Sequence, residues 1–204
     1  MCHIKITGQD DFLLTFHNRP SPMLTEAEAV KLLRKHLKDA EARKHSVAVA
    51  KIMEALAIRV KMGEEEWRLC GLLHDLDCEE VLGDMSKHGL MTAELLEGRL
   101  SRDCIQAIRA HDHRTGVPAR SIVDKALIAS DAMARFLSEL KEREGADKLA
   151  ELGLEVLQRK FEEKAFRKVR YLKERIEVCK EIGVPLGDFL NLAREAVERK
   201  DARS

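Results

Sequence analysis

From Leu24 onward, apolar side chains recur at intervals of three and four, the spacing that lays a stripe along one face of an α-helix. Start and stop signals divide this stripe into segments. Thr25 precedes Glu28 by three positions, a capping box that opens a first helix. A second helix is expected from about Glu41 to Met62, with Gly63 as its stop signal, and on it His45, Ala48, Val49, Ile52, Met53 and Leu56 share one face. A third begins at Glu64 and carries Trp67, Cys70, Gly71 and His74 on one side, so that His74 leaves the face that buries the tryptophan. Ser86 and Ser101 are expected to cap two short helices, the first ending at Gly98 and the second reaching His111. After the loop HRTGVPAR, Ser121 and Asp124 repeat the capping pattern and open a helix through Leu140 that carries Asp131. Further charged amphipathic helices follow from about Ala146, broken near Gly153 and between Gly183 and Pro185.

Residues 1–22 break this rhythm. There IKI and FLLTF, separated by TGQDD, predict a short hairpin in an N-terminal extension that closes with Pro20 and Pro22. The expected organisation is therefore this extension (1–22), a helical domain (23–140), and C-terminal helices (141–204) that pack on it. A homodimer contact and a cover over the domain's cleft stay open as further roles of those last helices. With 204 residues, 45% of them hydrophobic, the chain can bury a full core.

Charge and composition narrow the partners. The 36 basic and 36 acidic side chains cancel, and one tryptophan and one tyrosine offer no array for stacking bases, so no nucleic-acid polymer is expected. No run approaches the ~18 apolar residues of a membrane span, and the segment MCHIKITGQDD has neither a charged nor an apolar leader region, which points to a cytoplasmic protein without a membrane partner. Five cysteines without a CxxC pair fit a reducing compartment. Cys70 precedes His74 by four positions, yet a small buried residue explains it more simply than a nucleophile.

The candidate chemistry lies in His45, His74, Asp75, His88, His111 and Asp131, set at helical positions. A neutral imidazole offers one ring nitrogen to a borderline divalent cation, and a carboxylate can bridge two cations. Any one of these residues alone reads most simply as a hydrogen-bonded core group, and a wholly structural set of buried polar pairs is the plain alternative. Six coordinated candidates favour a metal site.

The order His45, His74-Asp75, Asp131 resembles the H…HD…D signature of the HD-domain superfamily of metal-dependent phosphohydrolases, over roughly Leu24 to Leu140. His88 and His111 resemble the extra ligands of its two-metal branch, and the phrases RKHSVAVAKIMEALA, LCGLLHDLD, KHGLMTAELL and IRAHDHRTGVP are similar to the HDIG-type group. The resemblance implies an all-α HD-domain bundle with additional C-terminal helices. It also implies two divalent ions (iron, manganese, magnesium, nickel or cobalt): His45, His74, Asp75 and Asp131 on the first, and His88 and His111 with the bridging Asp75 on the second.

Such a site would activate water toward a phosphate ester, and the substrate expected is a small phosphorylated metabolite, a nucleotide or a nucleotide-like compound. Asp75 as bridging ligand, with Asp77 and His113 as proton-transfer groups, forms the expected catalytic set, and Arg114, Lys87 and Arg109 are the candidates for holding phosphate. Departures narrow the family picture. The chain reads HDLDC where HD-GYP phosphodiesterases read HDIGK, HDHRTGVP only loosely echoes their GYP segment, and Cys78 stands where some nucleotidase relatives have a glutamate. The alternatives from other classes are a metal-binding regulatory module without turnover and a di-iron oxygenase.

Overall fold

Capping side chains set the starts of the two longest helices and of two shorter ones. The computed structural model describes residues 24–145, 149, 151–163 and 170–199. Among these there are helices and no strand, which makes the fold all-α; the hairpin expected within residues 1–22 lies outside them. Helix α1 (Glu26–His36) opens on the expected box, Thr25 Oγ1 accepting from Glu28 N at 3.3 Å while Glu28 Oε2 accepts from Thr25 N at 2.9 Å. Helix α2 (Ala40–Val60) is capped by Asp39 and ends on Lys61, which adopts φ 60° without being glycine. Gly63, expected to stop α2, instead caps α3 (Glu64–Leu73).

Ser86 does not open a helix. Residues Met85–Lys87 form a 3-10 turn capped by Asp84, and α4 (Leu90–Leu96) starts after Gly89, whose φ of 84° breaks the helical path. Ser101 caps α5 (Arg102–Ala110) as expected, and Ser121 with Asp124 forms the box that opens α6 (Ile122–Glu144). The last of these runs past Leu140 because KERE contains no breaker before Gly145, where φ is 94°. Helices α7 (Leu154–Glu162), α8 (Arg170–Glu177) and α9 (Leu186–Glu198) follow, with a 3-10 segment over Val178–Ile182. Among the described residues no helix is long and apolar enough to cross a membrane.

The long helices α2 and α6 form the centre. α3 packs against α2, α5 against α6, and the C-terminal helices close the other side: α8 on α6, and α9 on α2, α6 and α7. Ile52, Met53 and Leu56 of α2, Trp67 of α3, Phe136 of α6 and Phe189 of α9 are all essentially inaccessible to solvent. Each such apolar side chain contributes about 1.5–3 kcal/mol relative to exposure. Phe136 also meets Phe161 of α7 edge to face, with ring centroids 5.5 Å apart.

Gly71 sets the spacing of α2 and α3. A β-carbon there would come within 3.0 Å of Ala50 Cα, Ala50 N and Met53 Cγ, so only a residue without one lets the two backbones meet. One turn later stands His74, whose ring is 5.5 Å from that of His45 across the same seam. Gly71→Ala should therefore destabilise the fold by about 1–3 kcal/mol, as overpacking of a tight core does. The thermal midpoint by circular dichroism is the check, and an unchanged midpoint would show that the seam tolerates the methyl group.

Candidate metal centre

Six side chains from five parts of the chain meet beside the α2/α6 pair. His45 comes from the second turn of α2 and Asp131 from α6; His74 is the residue after α3, with Asp75 next to it; His88 follows the 3-10 turn; His111 follows α5. All are buried except the half-buried His45. Asp75 is the hub. Its Oδ1 lies 3.1 Å from His74 Nε2, 3.1 Å from His88 Nε2 and 3.3 Å from His111 Nε2, and its Oδ2 lies 3.8 Å from His45 Nε2. Two overlapping ligand groups result, His45, His74 and Asp75 in one and Asp75, His88 and His111 in the other, with ligand atoms within 4.8 Å of one another. Asp131 adjoins the first group, its Oδ1 2.9 Å from His45 Nε2 and 4.0 Å from His74 Nε2.

The hydrogen bonds at the far side of the rings fix what the near side presents. The carbonyl of Gly71 is 2.8 Å from His74 Nδ1, and that of Ile108 is 2.7 Å from His111 Nδ1. A carbonyl can only accept, so each Nδ1 carries the proton and each Nε2 turns a lone pair toward Asp75. Lone pairs facing a carboxylate repel it, and in a buried setting that repulsion is poorly screened. His45 Nε2, His74 Nε2 and Asp75 Oδ1 accordingly stand buried without a hydrogen bond. The 2.9 Å approach of His45 Nε2 to Asp131 Oδ1 is an electrostatic contact, its angles making no hydrogen bond. Positive charge among these atoms relieves the conflict, and the donor set of neutral imidazoles and carboxylates fits a divalent cation.

Titration follows the same geometry. Burial pushes the His74 ring down to about 4, against the pull of Asp75, so it is uncharged at neutral pH. Burial acts to raise Asp75, but the imidazoles around it, His74 first, hold its carboxyl well below the usual range. For His88, burial again lowers, yet the negative charges of Asp75 and Asp77 and the hydrogen bond to Asp77 outweigh it and raise the ring to about 10. The field that attracts this proton is the field a cation would feel.

The remaining expected residues separate into those beside this cluster and those away from it. Asp77 lies behind the His88 ring: Oδ1 is 2.9 Å from His88 Nδ1, and Oδ2 accepts from Gly89 N at 2.8 Å and Thr92 N at 2.9 Å. Both oxygens are thus engaged in holding His88 and the start of α4. His113 is exposed on the wall of the cleft and hydrogen-bonded to the Tyr171 hydroxyl. Arg114 also lines the cleft but forks onto Asp112, its Nε 2.9 Å from Oδ1. Lys87 pairs with Asp84 at 3.1 Å and Arg109 with Glu97 at 3.1 Å; neither lines the cleft. Cys70 is fully buried, and contact with Cys104 together with burial raises its thiol well above the ordinary value, which leaves no ready thiolate.

Three neighbours of the cluster carry no chemical signature in the sequence reading. Gly89, besides its positive φ, leaves room for the ligand ring: a β-carbon would sit 2.5 Å from Ile108 O and 2.8 Å from His111 Cε1. Arg135 Nε reaches Asp131 Oδ1 at 3.0 Å, and Arg175 Nη2 reaches Asp131 Oδ2 at 2.8 Å. Arg135 is one helical turn after Asp131, a spacing that was there to be read. Arg175 is 44 residues from Asp131 and had no local signal.

Replacing Asp77 by asparagine would set an amide donor against backbone N–H groups or against His88. Asp77→Asn should weaken divalent-cation affinity about 10–100-fold, as loss of a ligand's outer hydrogen-bond partner does. Competitive titration with a fluorescent chelator measures this, and an affinity equal to the parent's would deny Asp77 an orienting role.

Comparison with known proteins adds one match. No curated protein and no solved structure matches the chain. Residues 43–135, which include all six side chains of the cluster, match the family model described as HD domain, and it is to the HD superfamily that this part of the chain is thereby similar.

Proposed function

We propose that the protein is a two-metal phosphohydrolase of the HDIG type that cleaves a phosphate ester of a nucleotide or nucleotide-like metabolite. HD domains are generally metal-dependent phosphohydrolases, which supports this reaction class. The observation that carries the reading further is the convergence of the Nε2 atoms of His74, His88 and His111 on the single oxygen Asp75 Oδ1, with His45 and Asp131 beside them. His45, His74, Asp75 and Asp131 would hold one cation, and Asp75, His88 and His111 a second. Imidazole-rich donors favour a transition metal, from among iron, manganese, nickel and cobalt, with magnesium as the hard alternative. A divalent cation held by these residues would supply Lewis acidity, lowering the pKa of water bound to it toward about 7 and stabilising charge on phosphoryl oxygens.

The chain's own residues supply the rest. Asp77 keeps the His88 ring aimed at Asp75, and the carbonyls of Gly71 and Ile108 do the same for His74 and His111. His113, on the cleft wall with Nδ1 against the Tyr171 hydroxyl, is the group placed to pass a proton to the leaving oxygen. The cleft, about 1650 Å³, accommodates a nucleotide-sized substrate, and Val47 and Leu82 give its rim apolar surface for the non-phosphate part.

Protein purified without chelator should contain up to two equivalents of transition metal by elemental analysis and hydrolyse members of a nucleotide and phosphoester panel. Chelation should remove the activity and metal restore it. Asp75→Ala, which deletes the shared ligand, should abolish metal retention and lower turnover by at least about a thousandfold, the scale of several kcal/mol of lost charge stabilisation. Metal without turnover would favour a regulatory module, and failure to take up any metal on reconstitution would sink the proposal.

A further inference from the structure

The carboxylates at the centre are matched by an equal number of guanidinium groups. Arg135 donates from Nε to Asp131 Oδ1 at 3.0 Å, and its Nη2 lies 3.6 Å from Asp75 Oδ2. Arg175 donates from Nη2 to Asp131 Oδ2 and to the His111 carbonyl, each at 2.8 Å. Two negative and two positive charges cancel. Both arginines line the cleft, and they differ in exposure: the Arg135 side chain is 51% exposed, whereas that of Arg175 is 11% exposed, with a buried Nε that has no hydrogen-bond partner.

The other cations of the cleft wall have partners away from the ligand rings. Arg114 forks onto Asp112, Lys44 pairs with Glu41, and Arg43 donates to the carbonyls of Leu37 and Lys38. Lys51 donates to the Arg199 carbonyl, and Lys141 faces Glu198 at 3.9 Å. Arg135 and Arg175 alone in this group are neutralised by the carboxylates that a metal would engage.

A divalent cation held by His45, His74, Asp75 and Asp131 takes the charge of both carboxylates for itself. The two guanidinium groups then stand uncompensated beside the reacting position, a surplus of two positive charges, and a second cation would increase it. Arg135 has the planar fork that fits two oxygens on one phosphorus, and Arg175, largely withdrawn from solvent, adds a second guanidinium beside it.

We infer that Arg135 and Arg175 bind the non-bridging oxygens of the substrate, and that the substrate is a phosphomonoester, whose dianion offsets more of this surplus than a phosphodiester monoanion does. The inference rests on the metal-dependent reading above and narrows its substrate class. It also moves the phosphate-holding role from Arg114, Lys87 and Arg109 to residues one layer outside the ligands.

Binding can be measured without turnover. The protein is loaded with Mn²⁺, its metal content is determined, and calorimetric titration at pH 8.5 compares benzylphosphonate, a non-hydrolysable monoester mimic, with its methyl ester, the diester mimic. The dianion should bind at least about tenfold more tightly than the ester. Arg135→Gln and Arg175→Gln should each weaken the dianion about tenfold or more with metal content retained, the scale of one charge-assisted hydrogen bond. Arg135→Lys should recover part of the loss, because it restores charge without the fork. Since Arg175 also ties α8 to the site, Arg135→Gln decides if Arg175→Gln fails to fold. Parent-like affinity in a metal-loaded Arg135→Gln, or equal binding of the two mimics by the parent, would overturn the inference and leave the metal centre standing. A parent protein that takes up no Mn²⁺ would overturn the metal-dependent reading itself, and this inference with it.

Discussion

Repulsion between imidazole lone pairs and one buried carboxylate is the constraint around which this molecule is arranged. Asp75 Oδ1 receives the Nε2 atoms of three histidines, two of which have their protons fixed on the opposite nitrogen by backbone carbonyls. Nothing in a hydrophobic core calls for such an arrangement, and each polar atom buried without a partner costs free energy. It is sustained by the surrounding packing. The α2/α3 seam at Gly71 brings two of the rings together, Gly89 makes room for the His111 ring, and Asp77 ties the His88 ring to the start of α4. Stability is thus concentrated around a locally unfavourable cluster, the usual relation between a rigid scaffold and a binding site.

Much of the helical plan was legible because its signals are local. Thr25 with Glu28, Ser101, and Ser121 with Asp124 each satisfy free N–H groups within three residues, and the caps stand where the sequence places them. The misreadings arise where a distant group overrides local preference. Ser86 has the identity of a cap, but Asp77 reaches over to take the amides of Gly89 and Thr92 and so moves the helix start to Leu90. Lys61 adopts the left-handed turn expected at Gly63, a choice that the single-residue preference for glycine does not anticipate.

At the site, residue type and spacing were enough to collect the six clustered side chains, since His45, His74 and Asp131 lie on helical faces that bury their neighbours. Roles outside the cluster were harder to read. Lys87, Arg109 and Arg114 are near in sequence, but each has an acidic partner within hydrogen-bond distance that sequence proximity does not reveal. Arg135 and Arg175 are close in space because α6 and α8 pack together, and tertiary packing of this kind leaves little trace in a single chain.

The origin of Arg175 has a consequence for how such a protein diversifies. It enters from α8, beyond the segment that matches the HD domain, yet it holds Asp131 and the carbonyl of His111. The histidine and aspartate cluster and one of the charges around it are therefore contributed by separable stretches of polypeptide. Replacing or re-registering the C-terminal helices would change the electrostatic face offered to an incoming molecule while leaving every ligand atom where it is. The surroundings of the cluster can drift by exchange of an appendage, and the cluster itself need not be rebuilt each time.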